Sequence, residues 1–160
     1  MYLNKTIAVV VPAYNEEKLI ARTLKEIPDL VDKMIVVDDA SADNTAKIIT
    51  ELVENDQRIE LIQHEENQGV GGAIATGYKR ARDLEIDATV VMAGDAQMDP
   101  GDLVRIIEPV VNGSADYTKG NRLFYGDSWD MIPHYRYLGN SFLSLMTKIS
   151  SGYWHIADSQ

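Results

Sequence analysis

Short β-branched runs alternate along this chain with longer stretches in which apolar residues recur every three or four positions. Thr6 to Val11 (TIAVVV) is the first such run; it stops at Pro12 and reads as a buried strand. Asn15 is placed to cap a following helix with Glu16 and Glu17 in its first turn. Leu19, Ile20, Leu24 and Ile27 form its apolar stripe, and Pro28 ends it. Met34 to Val37 reads as a second strand, broken at Asp38-Asp39-Ala40-Ser41, and Ala46, Ile49, Leu52 and Val53 set a second helix. Strands over Ile59–Ile62 and Ala88–Met92 and helices over Gly69–Leu84 and Pro100–Val111 complete the regular part.

Strand and helix alternating in this way require parallel pairing through right-handed crossovers, so the expected fold is α/β: a layered, mostly parallel sheet with helices on both faces. Ligands in such sheets bind beyond the carboxyl ends of the strands. Four polar clusters fall at those ends: Pro12 to Glu16, Asp38-Asp39, His64 to Gly72, and Gly94 to Asp99. Their coincidence predicts one shared site. After Ala115 the pattern loosens. Tyr117 to Leu123 reads as a further strand, and Pro133 to Ser151 as an amphipathic helix striped by Leu138, Phe142, Leu145, Met146 and Ile149. That stripe is read as core packing in preference to a membrane surface. The expectation is a single domain over 1–160, with a ligand-binding part over 1–112 and the start of a second part over 113–160.

Composition narrows the partners. The 160 residues carry a formal charge of −10, which argues against a nucleic-acid-binding face. An anionic small molecule remains compatible, because one arginine and one cation reverse the local field. The absence of cysteine removes disulfides and thiolate metal sites. No apolar run approaches the roughly 20 residues of a bilayer span, and no signal-peptide pattern opens the chain. The reading is a cytoplasmic segment, placed at the cytoplasmic membrane face in a longer protein, and the abrupt end at Asp158-Ser159-Gln160 reads as truncation.

The candidate chemistry lies in four places. Asp95 and Gln97 put a carboxylate and an amide oxygen at i and i+2 on a turn, a hard donor pair suited to Mg²⁺ or Mn²⁺; Asp99 before Pro100 suits helix capping instead. Asp38 and Asp39 end the second strand, where either would contact a nucleoside or cap the next helix. Asn67-Gln68-Gly69-Val70-Gly71-Gly72 is either a phosphate cradle or a close helix–sheet contact, and it lacks the dinucleotide fingerprint because Ile74 occupies the third glycine position. Arg122, in Lys119-Gly120-Asn121-Arg122, can hold a diphosphate bidentately, or is a surface arginine. His64, His134 and His155 show no metal-ligand spacing and read as structural or surface residues.

Taken together, Val9-Val10-Val11-Pro12-Ala13-Tyr14-Asn15-Glu16-Glu17, Val36-Val37-Asp38-Asp39-Ala40-Ser41-Ala42-Asp43-Asn44-Thr45, Asn67-Gln68-Gly69 and Gly94-Asp95-Ala96-Gln97-Met98-Asp99-Pro100 resemble glycosyltransferase family 2, of the GT-A fold group, over nearly the whole chain. Gly120-Asn121-Arg122 and Asp158-Ser159-Gln160 are most similar to its polyprenyl- and dolichyl-phosphate mannosyl- and glucosyltransferase branch. The resemblance implies transfer of a sugar, with inversion, from a UDP- or GDP-linked donor to an acceptor such as a membrane lipid phosphate. By position, Pro12, Ala13, Tyr14 and Glu16 would line the nucleoside pocket, with Asp39 and Asp38 at base or ribose. Asp95 and Gln97 would bind the Mg²⁺ or Mn²⁺, Arg122 the donor diphosphate, and Asp158 would lie near the acceptor as the catalytic candidate. Ala93 replaces the first aspartate usual in the family's metal motif. Ala40 stands where glycine is usual, which asks for an unstrained turn. The other readings are a nucleotide-sugar-binding fragment without turnover and a nucleotidyltransferase. The latter would require a basic glycine-rich loop after the first strand.

Overall fold

A computed structural model describes residues 1–94, 100–120 and 134–152. The chain divides into two compact units, Met1–Thr118 and Lys119–Gln160. The first unit is built on β1 (Ile7–Ala13), α1 (Ile20–Glu26), β2 (Lys33–Asp38), α2 (Thr45–Val53), β3 (Ile59–Gln63), α3 (Gly69–Asp83), β4 (Ala88–Val91) and α4 (Leu103–Val111). A short 3₁₀ turn, Pro100–Asp102, leads into α4. The four strands form one sheet in the order β3-β2-β1-β4, and every pairing is parallel.

The expected α/β architecture is therefore present, with helices on both faces. On one face Ile20 and Leu24 of α1, Ile49 of α2, and Leu103 and Ile107 of α4 join Ile7, Val9, Val11, Met34 and Val36 of the strands. On the other, α3 packs Ala73 and Ala81 against Ala8, Val10, Ile35 and Val37. Alternation along β1 and β2 divides the aliphatic residues between these two cores, so β1 is apolar throughout and β2 is apolar between Lys33 and Asp38. At the amino end, Lys5 and Thr6 donate to Asp87, tying the approach to β1 to that of β4. Their hydrogen bonds, that from Lys5 first, hold the Asp87 carboxyl down to about 2.

Several boundaries differ from the sequence expectation. β1 does not stop at Pro12 but runs through it to Ala13, pairing Pro12 with Val37. The β4 ladder has already ended, at Val10 opposite Val91, and the Pro12 carbonyl accepts from Gly94 on that side. The N–H that proline lacks is thus not needed by the sheet. Asn15 does not cap α1, which begins at Ile20; its Oδ1 accepts from the Ala42 N–H at 2.8 Å. Residues 117–120 form no strand, and 121–123 lie outside the described residues.

In the second unit, α5 (His134–Ser151) matches the expected helix. Its stripe, expected to pack into a core, leaves Phe142, Leu145, Met146 and Ile149 exposed.

Candidate functional site

Beyond the carboxyl ends of the strands lies a cavity of about 360 Å³. It is lined by Pro12, Ala13, Tyr14 and Glu16 from β1 and its loop, Asp39 after β2, Asn67, Gly69, Val70 and Ala73 at the start of α3, and Ala93 and Gly94 after β4. Such a volume suits a small organic ligand. Five of the expected residues, Pro12, Ala13, Tyr14, Glu16 and Asp39, come together here. Asp38 does not line the cavity. It falls in the β2 register of Met34 and Val36, on the face of the larger core, and is 2% exposed. Its Oδ1 is buried with no hydrogen-bond partner among the described residues. The two adjacent aspartates thus avoid each other through strand alternation. Asp95, Gln97, Asp99, Arg122 and Asp158 lie outside the described residues.

The wall carrying Tyr14 and Glu16 is shaped by the loop after β2. Asn15 N–H donates to Ser41 Oγ at 2.9 Å, Glu16 N–H to Thr45 Oγ1 at 2.8 Å, and Glu17 N–H to Asp43 Oδ2 at 3.1 Å. In return the Ala42 N–H donates to Asn15 Oδ1, and Asn44 donates to Glu17 through its backbone and its side-chain amide. Asp43 Oδ1 also accepts from the Thr45 N–H at 2.9 Å and from its hydroxyl, closing the start of α2. Burial opposes ionisation of Asp43, but the hydrogen bonds from Thr45 and Glu17 outweigh it and hold the carboxyl below its ordinary value. Asn15 and Ala40 both take left-handed backbone angles, φ 56° and 59°, where the two loops meet. The unstrained turn expected at Ala40 is not what forms: the side-chain bonds of its neighbours hold an alanine in a conformation that favours glycine.

The opposite wall centres on Asp39. Its N–H donates to the Ala13 carbonyl at 2.9 Å, continuing the β1–β2 ladder by one step. Asp39 Oδ1 meets His64 Nδ1 at 2.6 Å and accepts the Gln68 N–H at 2.9 Å. His64 Nε2 meets Thr76 Oγ1 at 3.0 Å, and Asn67 Nδ2 donates to the Asp39 carbonyl at 3.2 Å. Burial raises the Asp39 carboxyl, but the backbone of Gln68, the His64 ring and the Gly69 N–H together outweigh it and lower it below the usual carboxylate range. The cavity therefore presents an ionised, acceptor-only group.

The glycines divide by role. Gly69, at the cavity, has φ 76°, and both it and Gly71 have open space around the missing side chain, so neither is required by packing. Gly72 and Gly77 are crowded: an added Cβ would meet Gln68 Cβ at 2.6 Å at the first and collide with Val10 of the sheet at the second. Gly94 is another close approach: its Cβ would lie 3.2 Å from Ile20 Cδ1, and its carbonyl accepts from buried Thr23 Oγ1 at 3.0 Å.

His64 and Ala73 are participants that sequence reasoning did not assign, while Asn67, Gln68, Gly69 and Val70 belong to the stretch read as a phosphate cradle or a packing contact. For His64 the available signal was its position, one residue past β3 and within the same polar cluster as the glycines. Among the described residues there is no group of three carboxylates or histidines able to hold a metal ion.

An open parallel sheet whose successive carboxyl-end loops enclose an acid-lined cavity defines an α/β ligand-binding domain of the nucleotide-site type. Residues 8–158 match the family described as Glycosyl transferase family 2, and the chain belongs to it. It is 37% identical over 170 residues to the UDP-N-acetylglucosamine–dolichyl-phosphate N-acetylglucosaminyltransferase of Methanococcus voltae, covering 98% of this chain and 67% of that one. It is 32% identical over 136 residues to the dolichol-phosphate mannosyltransferase of Pyrococcus furiosus, covering 82% and 37%. Among solved structures it resembles a mannosyltransferase from Pyrobaculum calidifontis in complex with GDP-Man and Mn²⁺, with a TM-score of 0.51 and 28% identity over 57% of this chain and 28% of that one. The chain thus spans two thirds or less of these proteins.

Proposed function

We propose that the cavity receives the nucleoside of a nucleoside-diphosphate sugar, and that the longer protein transfers the sugar, with inversion, to a polyprenyl phosphate. The observation that carries this reading is the convergence of Tyr14, Glu16 and Asp39, from loops after different strands, on one cavity also lined by Ala93 and Gly94. An acceptor-only carboxylate selects a hydroxyl or ring N–H donor, which ribose, uracil and guanine all offer. The relatives' lipid-phosphate acceptors and the UDP- and GDP-linked donors named for them support the same class. The division into a donor part over 1–112 and an acceptor part over 113–160 belongs to this proposal, as does a place at the cytoplasmic membrane face. Among the described residues no helix is long and apolar enough to cross a membrane.

In this reading Pro12, Ala13, Tyr14 and Glu16 hold the nucleoside, while Asp39 fixes its base or ribose and Asp38 supports that strand end. Arg122 binds the diphosphate, and Asp158 orients the acceptor. A lipid phosphate is already anionic and needs little deprotonation by Asp158. The hard oxygen pair of Asp95 and Gln97, which follows directly on the cavity residues Ala93 and Gly94, fits Mg²⁺ or Mn²⁺. A divalent ion held there neutralises charge on the departing diphosphate. With the full-length protein, transfer from UDP- and GDP-sugars to a polyprenyl phosphate is expected to depend on added Mn²⁺ or Mg²⁺. Asp95→Ala is expected to lower that turnover by at least about a hundredfold. Full metal-dependent turnover in Asp95→Ala would overturn the assignment.

A further inference from the structure

The buried side chains beside the cavity include one imidazole with a partner on each nitrogen. His64 reaches Asp39 Oδ1 through Nδ1 at 2.6 Å and Thr76 Oγ1 through Nε2 at 3.0 Å. Its side chain is 6% exposed and that of Asp39 is 4% exposed. The backbone on either side is tied as well: the His64 N–H donates to the Asp38 carbonyl at 2.9 Å, and the Asp39 N–H to Ala13. Both side-chain partners are thus held independently, Asp39 by the sheet and Thr76 by the third turn of α3.

The consequence lies in which oxygen is used. His64 Nδ1 and the Gln68 N–H converge on Asp39 Oδ1, and Oδ2 receives neither, while the Gly69 N–H stands close to the same carboxylate. Two donors on one oxygen stop the carboxylate from rotating about its terminal bond, so its two oxygens cannot exchange roles. A threonine hydroxyl both donates and accepts. Thr76 therefore completes the bridge to a neutral ring by donating and to a charged ring by accepting. An apolar pair would fill this space with no desolvation cost, whereas a buried polar bridge at a cavity wall fixes an orientation.

We propose that His64, braced by Thr76, is a positioning residue for the donor nucleoside: it locks the Asp39 carboxylate against rotation and so fixes the orientation in which that carboxylate meets the ligand. The proposal rests on the reading of the cavity as a nucleoside-diphosphate site. His64 does not itself line the cavity, so its effect on the ligand passes through Asp39.

The test is isothermal calorimetry of this 160-residue chain with UDP and with GDP, each with Mn²⁺, beside thermal unfolding of every variant. His64→Phe fills the space without a donor and is expected to weaken nucleotide binding by about tenfold. In His64→Asn the amide Nδ2 stands close to the place of Nδ1 and can donate to Oδ1. Binding is expected to return to within about threefold of the natural chain, at a melting temperature similar to that of the Phe variant. A folded His64→Phe chain that binds as tightly as the natural one would overturn the inference. So would a folded His64→Asn chain that binds as poorly as the Phe variant. Should His64→Phe fail to fold, Thr76→Val decides: a loss of about threefold is expected, and unchanged binding overturns the brace. A natural chain that binds neither nucleotide would remove the donor-site reading and this inference with it. Tight binding by both the natural chain and His64→Phe removes the inference alone.

Discussion

The two walls of the cavity are built by different physics. The wall bearing Tyr14 and Glu16 is held by side-chain hydrogen bonds between two loops, with Ser41, Asp43 and Thr45 each accepting a backbone N–H from residues 15–17. The wall bearing Asn67, Gly69 and Val70 is carried on α3, which lies against the sheet through small residues, Ala73, Gly77 and Ala81. Directional bonds define the first wall; the second adds to its hydrogen bonds at Asp39 and Asn67 the close approach of α3 to the sheet. The first therefore depends on individual polar atoms, and the second on volume as well. Asp39 joins them, with its backbone on the β1 side and its carboxylate on the α3 side.

The sharpest way to break the first wall is Asp43→Ala. It removes the acceptor of the Glu17 N–H, the Thr45 N–H and the Thr45 hydroxyl, and Thr45 is fully buried. At roughly 1 kcal/mol for each lost partner, the chain should lose about 2–3 kcal/mol of stability in urea unfolding. UDP or GDP binding should fall by at least about tenfold, because Tyr14 and Glu16 are no longer held. A stability change below about 0.5 kcal/mol would show that backbone geometry alone holds this wall.

Gly77→Ala tests the second wall by volume. The added methyl would collide with Val10, which is fully buried in β1. Alanine gains about 1 kcal/mol over glycine in a helix interior, while overpacking a rigid core costs about 1–3 kcal/mol. A net loss of up to about 2 kcal/mol is expected, with Asp39-dependent binding weakened as α3 is pushed from the sheet. The same substitution in a Val10→Ala background should become neutral or stabilising, since the collision is gone. Equal destabilisation in both backgrounds would place the cost elsewhere than the α3–β1 contact.

This division explains what could be read from the sequence. The alternation of apolar strands and helices, and the gathering of polar clusters at strand ends, follow from hydrophobic periodicity and the parallel topology, and the sheet shows both. Asp39 was legible for the same reason, whereas Tyr14 and Glu16, within a polar cluster at the end of β1, were assigned their place through the family resemblance. What was not legible depended on contacts distant in the chain. Pro12 reads as a strand stop, yet β1 continues because its neighbour β4 ends first. Asn15 reads as a helix cap, yet its partner is Ala42, 27 positions away. His64 reads as an unremarkable polar residue because nothing in its local sequence shows Thr76 on one side and Asp39 on the other. The glycines at 69–72 read either as a phosphate cradle or as close packing; Gly72 is crowded by Gln68 of its own helix start, but the glycine that lets α3 approach the sheet is Gly77, within a helix whose periodicity gives no warning of it.

The smallest predicted effect sharpens the account of the first wall. Ala40 sits at φ 59° between Asp39 and Ser41, held there by the bonds that link the two loops. A left-handed conformation costs an L-residue about 1–2 kcal/mol. Glycine removes that strain but adds about 0.4–1 kcal/mol of unfolded-state entropy to overcome. Ala40→Gly should therefore stabilise the chain by about 0.5–1 kcal/mol, seen as a higher urea midpoint with an unchanged slope. Nucleotide affinity should hold, because the substitution relaxes the turn without moving Asp39. A lower midpoint would mean that the hydrogen bonds around Ser41 and Asn15 do not oppose any strain at residue 40. The first wall would then owe its shape to the intrinsic preference of the turn, contrary to the contrast between the walls.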